Sequence, residues 1–264
     1  MMRAVILAAG RGGRLRGVTG NHPKCLARVG AITLLERQVA ALRRCGVNAI
    51  TVVAGYHAAD VRRVCRGVDF AHNAQFATTN SMYSLWLVRQ AIANGFVVLN
   101  ADVLFHDQLL IDLLTARYED ALLVAPPPAG GRAFTDEEMK VRVRGGRVVE
   151  IAKTIDPAEA DGENIGIAKF GREGAAVLIE EMNQLIGAGA HREWLPAGFA
   201  AFGRRRPLHV IDNRGFPWIE IDFPEDYWRA CTDVLPAIEA AAAPSVALPR
   251  QAAAAAASGR TAHV

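Results

Sequence analysis

RAVILAAGRGGRLRGVTGNHPKCLA, residues 3–27, opens the chain with a strand that runs straight into a glycine-rich, cationic loop. Arg3–Ala8 is a largely apolar run of strand length, the pattern of a strand buried on both faces. Gly10, Gly12, Gly13, Gly17 and Gly20 follow, and Pro23 delays the next helix to about Thr33. From Thr33 to Cys45, Leu34, Leu35, Val39 and Leu42 share one side of an amphipathic helix. Thr33 and Glu36 have capping-box spacing, and Gly46 supplies a stop.

Outward from this stretch the alternation repeats. Strands are predicted at Ala49–Ala54, Phe96–Asn100 and Ala121–Ala125, with helices near Ala58–Cys65, Ser81–Ala93 and Asp107–Arg117. This repetition, with near-continuous Val, Ile and Leu in the strands, predicts a mostly parallel sheet covered on both faces. The expected class is α/β: a three-layer α/β/α arrangement around a Rossmann-like central sheet. Pro126–Pro128 with Gly130 and Gly131 mark a loop, and Lys140–Arg144 and Arg147–Ile151 flank Gly145-Gly146 as an inserted β-hairpin. A strand at Ile165–Phe170, a helix at Glu173–Leu185, a strand at Leu208–Asp212 and a closing helix at Pro224–Ala242 complete one domain, residues 1–239. Residues 240–264, rich in Ala and Pro, read as a disordered, non-catalytic tail.

The 264 residues are 51% apolar, enough for a substantial core, and a formal charge of +3 is too slight for a general nucleic-acid surface. Cys25, Cys45, Cys65 and Cys231 show no CxxC pair and fit reduced thiols. The apolar N-terminus is too short for a signal peptide or a membrane span, so a soluble, cytoplasmic protein is expected. Self-association into a homo-oligomer stays open.

Charge is segregated where chemistry is expected. The first 35 residues hold Arg3, Arg11, Arg14, Arg16, Lys24 and Arg28 and no acid. Glycine amides approach an anion closely, and clustered cations neutralise several phosphate charges together, so the loop suits a polyphosphate; a merely solvated basic loop is the alternative. The Walker spacing is absent. A dinucleotide fingerprint fails as well, because Leu15 stands at the third glycine position.

LAAGRGGRLRGVTGNHPKCLA (7–27) resembles the signature of the nucleotidyltransferases that activate sugar phosphates and small phospho-alcohols. Gly10, Gly12, Arg14, Leu15, Thr19, Pro23, Lys24 and Leu26 match its fixed places. FATTNSMYSLWL (76–87) resembles the base-side segment of the cytidylyltransferase branch that makes CDP-activated phosphocholine and related compounds. NAD (100–102) and EID (220–222) resemble its metal carboxylates, EIAK (150–153) its acceptor lysine, and ENIG (163–166) its acceptor loop.

The resemblance implies transfer of CMP from CTP to a small phosphate or phosphonate with release of pyrophosphate. Nucleotide contacts would come from Leu7, Ala8, Ala9, Gly10, Gly12, Gly13, Arg14, Thr79, Asn80, Ser81, Ser84 and Ala101. Asp102 and Asp222 would hold Mg²⁺. Each follows an apolar strand, where open α/β sheets bind ligands, although either alone reads equally well as a helix cap. Arg14, Lys24 and Lys153 would be catalytic, with Lys153 also drawing in the acceptor. Since the attacking oxygen is already ionised, no general base is needed, and catalysis is positioning and electrostatics.

The hydroxyl and amide groups of Thr78–Ser81 could read cytosine, or Asn80 or Ser81 could simply cap a helix. Glu138, Lys140, Glu163 and Asn164 are candidate acceptor contacts, with a solvated loop and turn chemistry as the bland readings. DEEMK (136–140) offers carboxylates and Met139 rather than an aromatic cage, which favours a primary ammonium. Since the branch that the chain resembles also includes the 2-aminoethylphosphonate cytidylyltransferases, the resemblance makes 2-aminoethylphosphonate the first choice. Phosphocholine stays open if Trp194, Tyr227 or Trp218 supplies a cage, as does a sugar 1-phosphate; a catalytically silent nucleotide-binding regulator is the non-enzyme alternative. The hairpin at 140–151 is a natural place for acceptor specificity, or a plain structural element. Asp69, Asp107, Asp112 and Asp226 read as capping or surface acids, and Arg204–Arg206 as a solvated turn.

Overall fold

The computed structural model describes residues 2–127 and 134–242. In chain order the strands are β1 (Arg3–Ala8), β2 (Arg28–Val29), β3 (Ile32–Thr33), β4 (Ala49–Ala54), β5 (Asp69–His72), β6 (Phe96–Asn100), β7 (Val103–Phe105), β8 (Ala121–Ala125), β9 (Lys140–Arg144), β10 (Arg147–Ala152), β11 (Gly162–Phe170), β12 (His209–Asp212) and β13 (Trp218–Glu220). The helices are α1 (Arg16–Thr19), α2 (Leu34–Arg44), α3 (Ala58–Val64), α4 (Ser81–Leu87), α5 (Asp107–Thr115), α6 (Arg172–Gly187), α7 (Leu195–Arg205), α8 (Pro224–Arg229) and α9 (Leu235–Ala242).

Among the described residues, nine strands form one sheet in the order β5-β4-β1-β6-β11-β8-β12-β10-β9. The first four are mutually parallel; the apolar runs predict β4, β1 and β6, whereas β5, DFAH with both ends exposed, is not among the predicted strands. β11 enters antiparallel between β6 and β8, and β10 antiparallel between β12 and β9; these two run against the other seven. The hairpin β9–β10 forms as expected and is joined to the main sheet by both β12 and β11.

Alternation along β1 makes the layers. Ala4, Ile6 and Ala8 face a core closed by Leu35, Val39 and Leu42 of α2, Val61 of α3 and Leu109, Leu110 and Leu113 of α5. Val5 faces the opposite core, closed by Met82 and Leu85 of α4, Leu178 and Met182 of α6, and Phe199 and Phe202 of α7. A third cluster packs Leu15, Ala27, Val29 and Leu34 against Ile219, Ile221 and Leu235, fastening the signature loop to the C-terminal helices. The capping box at α2 is present in both directions: Glu36 N–H donates to Thr33 Oγ1, and Thr33 N–H to Glu36 Oε2.

Some elements differ from the sequence reading. α4 stops at Leu87 instead of Ala93, because Val88, Arg89 and Ala91 donate three residues back and wind into tight turns before Gly95 at φ 97°. α7 was not anticipated: Pro196, Gly198 and Gly203 mask an apolar face formed by Leu195, Phe199 and Phe202. Of the Arg204–Arg206 run, Arg204 and Arg205 are exposed but helical, closing α7, and Arg206 is drawn into the structure. Arg206 Nε donates to the buried Asp120 at 2.5 Å, whose other oxygen accepts Gly171 N–H at 3.0 Å. α9 continues through the boundary expected at 239 to Ala242; residues 243–264 of the tail, and 128–133 of the loop after β8, lie outside the described residues.

Candidate active site

A cleft of about 380 Å³ lies at the carboxyl ends of β1 and β6, walled by Leu7–Gly10 and Asn100–Asp102. It is completed by Gly12, Gly13, Arg14 and Lys24 of the signature loop, by Thr79, Asn80, Ser81 and Ser84 at the start of α4, and by Lys153, Asn164 and Asp222. The nucleotide-side candidates other than Thr78, whose hydroxyl donates to Gln75 O at 3.3 Å, therefore face one space, together with both aspartates and all three catalytic candidates.

A short two-stranded ribbon brings the aspartates together. β13 pairs antiparallel with β7, Glu220 opposite Val103, and Ile221 N–H donates to Asp102 O at 3.0 Å. Asp102 before β7 and Asp222 after β13 thus emerge side by side. Asp226, at the first turn of α8, accepts Asp222 N–H at 3.1 Å and Phe223 N–H at 2.9 Å, which fixes the backbone under Asp222. On the other side Gln38 of α2, 1% exposed, donates its amide to Asn100 O and Val103 O, 2.8 Å each, and so clamps the turn carrying Asp102.

Lys24 joins the pair. Pro23 (ψ 143°) turns the chain into the short helical turn Lys24–Leu26. Gly12, at φ 61°, lets the glycine loop lie against it: a Cβ there would stand 2.5 Å from Lys24 Cβ. Lys24 Nζ lies 2.7 Å from Asp102 Oδ2 and 2.5 Å from Asp222 Oδ1. Arg14 reaches the other oxygen of Asp222 at 3.0 Å and Glu137 at 3.0 Å, its guanidinium resting 4.5 Å from the centre of the Phe223 ring.

These contacts set the ionisation. Burial opposes the charge of Lys24, but Asp102 and Asp222 overcome it and hold the ammonium above the usual lysine range. Burial likewise opposes the Asp222 carboxylate, and Lys24 and Arg14 bring it below its ordinary value. Glu220 goes the other way: burial first, then Asp102 and Asp222, push it well above the carboxylate range. The oxygens of Asp102, Glu220 and Asp222 lie within 4.8 Å of one another, and Asp102 Oδ1 is buried without a hydrogen-bond partner. An all-oxygen set with a free lone pair suits a hard divalent cation such as Mg²⁺. Glu220 escaped the sequence reading although its signal was there, since positions 220 and 222 fall on one face at strand spacing.

On the nucleotide side Asn80 is the N-cap of α4, its Oδ1 accepting Ser81 N–H at 2.8 Å, while also lining the cleft. Ser81 Oγ accepts Leu195 N–H at 2.8 Å. Asn73, 1% exposed and not singled out from the sequence, donates to Thr79 Oγ1 at 3.0 Å and Ser84 Oγ at 3.1 Å, presetting both hydroxyls.

The acceptor side needs correction. Lys140 is fully buried and donates to Thr135 O at 2.6 Å; Glu138 accepts Thr135 N–H at 2.6 Å. Neither lines the cleft; both are taken up by Thr135 in supporting the 135–140 loop. Glu163 sits behind the wall, mostly buried, whereas Asn164 and Lys153 face the cleft. Glu137 and Trp194 take the vacated places: Lys153 Nζ lies 3.4 Å from Glu137 and 5.2 Å from the centre of the Trp194 ring. Tyr227 and Trp218 pack elsewhere, Tyr227 donating to Arg28 O at 2.9 Å and Trp218 pairing with Phe105.

Comparison with known proteins matches this architecture. A choline-phosphate cytidylyltransferase of Streptococcus pneumoniae is 38% identical over 119 residues, 44% of this chain and 52% of that protein. A CMP-5'-(3-aminopropyl)phosphonate synthase of Streptomyces rubellomurinus is 28% identical over 243 residues, 87% of this chain and 38% of that protein. The chain thus spans about half the length, or less, of these curated relatives. The solved CTP:phosphocholine cytidylyltransferase of Streptococcus pneumoniae shares the fold at TM-score 0.70 and 24% identity, over 86% of this chain and 96% of that one. The sequence profile of the MobA-like NTP transferase domain matches residues 4–242. With the fold, the cleft and that match in agreement, the chain belongs to the MobA-like NTP transferase family.

Proposed function

We propose that this chain is a cytidylyltransferase that moves CMP from CTP to a small phosphonate or phosphate bearing an amine, with 2-aminoethylphosphonate the first choice. The observation that carries the reading is the ammonium of Lys24 seated between Asp102 and Asp222 on the floor of a cleft walled by the glycine-rich cationic loop. A nucleotide-binding regulator has no need of that charge arrangement.

Arg14 and the loop amides hold the β- and γ-phosphates. Asp102 and Asp222, with Glu220 behind them, would hold Mg²⁺, which when bound offsets the charge on nucleotide phosphate oxygens. The acceptor oxygen forms a bond to the α-phosphorus as the bond to the β-phosphate bridge breaks, and pyrophosphate carries away the electron pair. Lys24 stabilises the crowded α-phosphoryl group as its equatorial charge grows. Lys153 draws in the acceptor phosphoryl group. Glu137 and the face of Trp194 receive the acceptor's ammonium, Glu137 as hydrogen-bond acceptor and Trp194 through its π-face.

Trp194 also keeps phosphocholine as a second reading, since an aromatic face suits a quaternary ammonium. Pyrophosphate release decides, measured with each of the four NTPs against 2-aminoethylphosphonate, phosphocholine and a sugar 1-phosphate. The expected result is release with CTP that depends on the aminoalkyl phosphonate. Release without any acceptor, or none with any combination, sinks the proposal.

A further inference from the structure

Beyond the carboxylate centre, a second group of side chains of metal-ligating type stands on the segments that follow two neighbouring strands, β1 and β4. His22 lies in the signature loop, two residues before Lys24. His57 follows β4 as the N-cap of α3, and Asp60 occupies the first turn of that helix. Both imidazoles turn Nδ1 toward one oxygen of Asp60: His57 at 3.1 Å and His22 at 3.4 Å. All three donor atoms lie within 4.8 Å of one another.

We propose that His22, His57 and Asp60 form a site for a transition-metal ion of the zinc class, separate from the Asp102–Glu220–Asp222 centre. An ion bonded at about 2.0–2.1 Å to nitrogen and about 2.0–2.2 Å to oxygen in tetrahedral geometry has donor–donor edges of roughly 3.3 Å. The two measured edges bracket that length. Two imidazoles with one carboxylate select zinc and its neighbours, whereas the all-oxygen centre suits magnesium. His57 is held at φ 46°, an uncommon conformation for a residue other than glycine, and its ring lies against Tyr56 at 4.3 Å between centroids. Arg63 occupies the other oxygen of Asp60, leaving the first to face both histidines. Three protein ligands leave a fourth position for water.

The ion would tie the loop carrying Lys24 to the start of α3. The two loops already touch through Tyr56 N–H donating to Ala9 O at 3.1 Å. Metal at this site would therefore restrict the segment that positions Lys24, without touching the reacting atoms.

The test uses the full chain, stripped of metal and titrated with Zn²⁺, and separately with Co²⁺, against a chromogenic chelator. Wild type and Asp222→Asn are expected to retain one equivalent, and the Co²⁺ form to show the intense visible absorption of four-coordination. His22→Ala and Asp60→Asn should each weaken binding at least tenfold. His57→Gly should do the same while keeping the backbone conformation, with metal-free melting unchanged. Arg63→Ala, which frees Asp60 of a competing cation, should tighten binding. Replacing Cys45 and Cys231 by Ser should leave the equivalent in place. No retained equivalent, an equivalent indifferent to His57→Gly and Asp60→Asn, or one lost with Asp222→Asn would overturn the proposal. Each of these outcomes is read without turnover and so is distinct from failure of the transferase reading.

Discussion

Glu163→Gln tests the electrostatics of the acceptor wall through folding stability. Burial pushes the Glu163 carboxyl up to about 7, with Glu138 and Asp226 adding to the rise and Lys140 and Lys153 opposing it. Its folded value thus stands above its ordinary 4.5, and between the two the folded chain holds a proton that the unfolded chain has released. The sign follows: stability is greatest at low pH and falls as pH climbs from the unfolded value to the folded one. At about 1.4 kcal/mol per tenfold change, the full loss is ~3 kcal/mol. Partial solvent contact and the part already lost at pH 5 leave about 2 kcal/mol between pH 5 and pH 8. Glutamine keeps the shape and cannot ionise. Urea unfolding of both proteins at pH 5, 6, 7 and 8 should therefore show the variant gaining on wild type by about 2 kcal/mol across the series. Subtracting wild type removes the parallel titration of Glu220. A difference that is flat with pH, or that shrinks as pH rises, would refute the placement of Glu163 in a desolvated, acid-rich wall.

Lys24→Ala should lower kcat at least ~100-fold while changing CTP affinity far less, because its charge matters most as the α-phosphoryl group becomes crowded. Equal losses in kcat and in CTP binding, measured by single-turnover kinetics and calorimetry, would contradict that role. Gln38→Leu leaves Asn100 O and Val103 O without their amide donor, and should cost about 1–3 kcal/mol in urea unfolding and lower kcat more than it raises KM for CTP. Gly12→Ala forces a left-handed backbone position and a 2.5 Å clash onto Lys24 Cβ, so turnover should collapse while far-ultraviolet circular dichroism is retained. Trp194→Ala should raise KM for the acceptor and leave KM for CTP near its wild-type value; an effect on CTP alone would remove Trp194 from the acceptor wall.

The sequence by itself determined β1, β4 and β6 of the parallel half of the sheet and the loop residues that line one wall of the cleft. β1, β4 and β6 are short apolar runs, and the glycines, Pro23 and the cations after β1 are local in the chain, so their spacing can be read without the fold. Tertiary structure decided the rest. The Gly145-Gly146 hairpin spacing gives the reversal of β10, but the antiparallel entry of β11 between β6 and β8 is a long-range choice that period-two patterning does not encode. α7 was hidden because Pro196, Gly198 and Gly203 weaken local helix propensity, which burial of Phe199 and Phe202 overrides. The exchange of Glu138 and Lys140 for Glu137 and Trp194 turns on which way one loop faces, and a one-residue change of phase moves a side chain from the cleft into its support. Most of all, the meeting of Asp102 with Asp222 across the β7–β13 ribbon, and the entry of Lys24 between them, unites charges from three distant parts of the chain; only folding sets the distances on which their interaction depends.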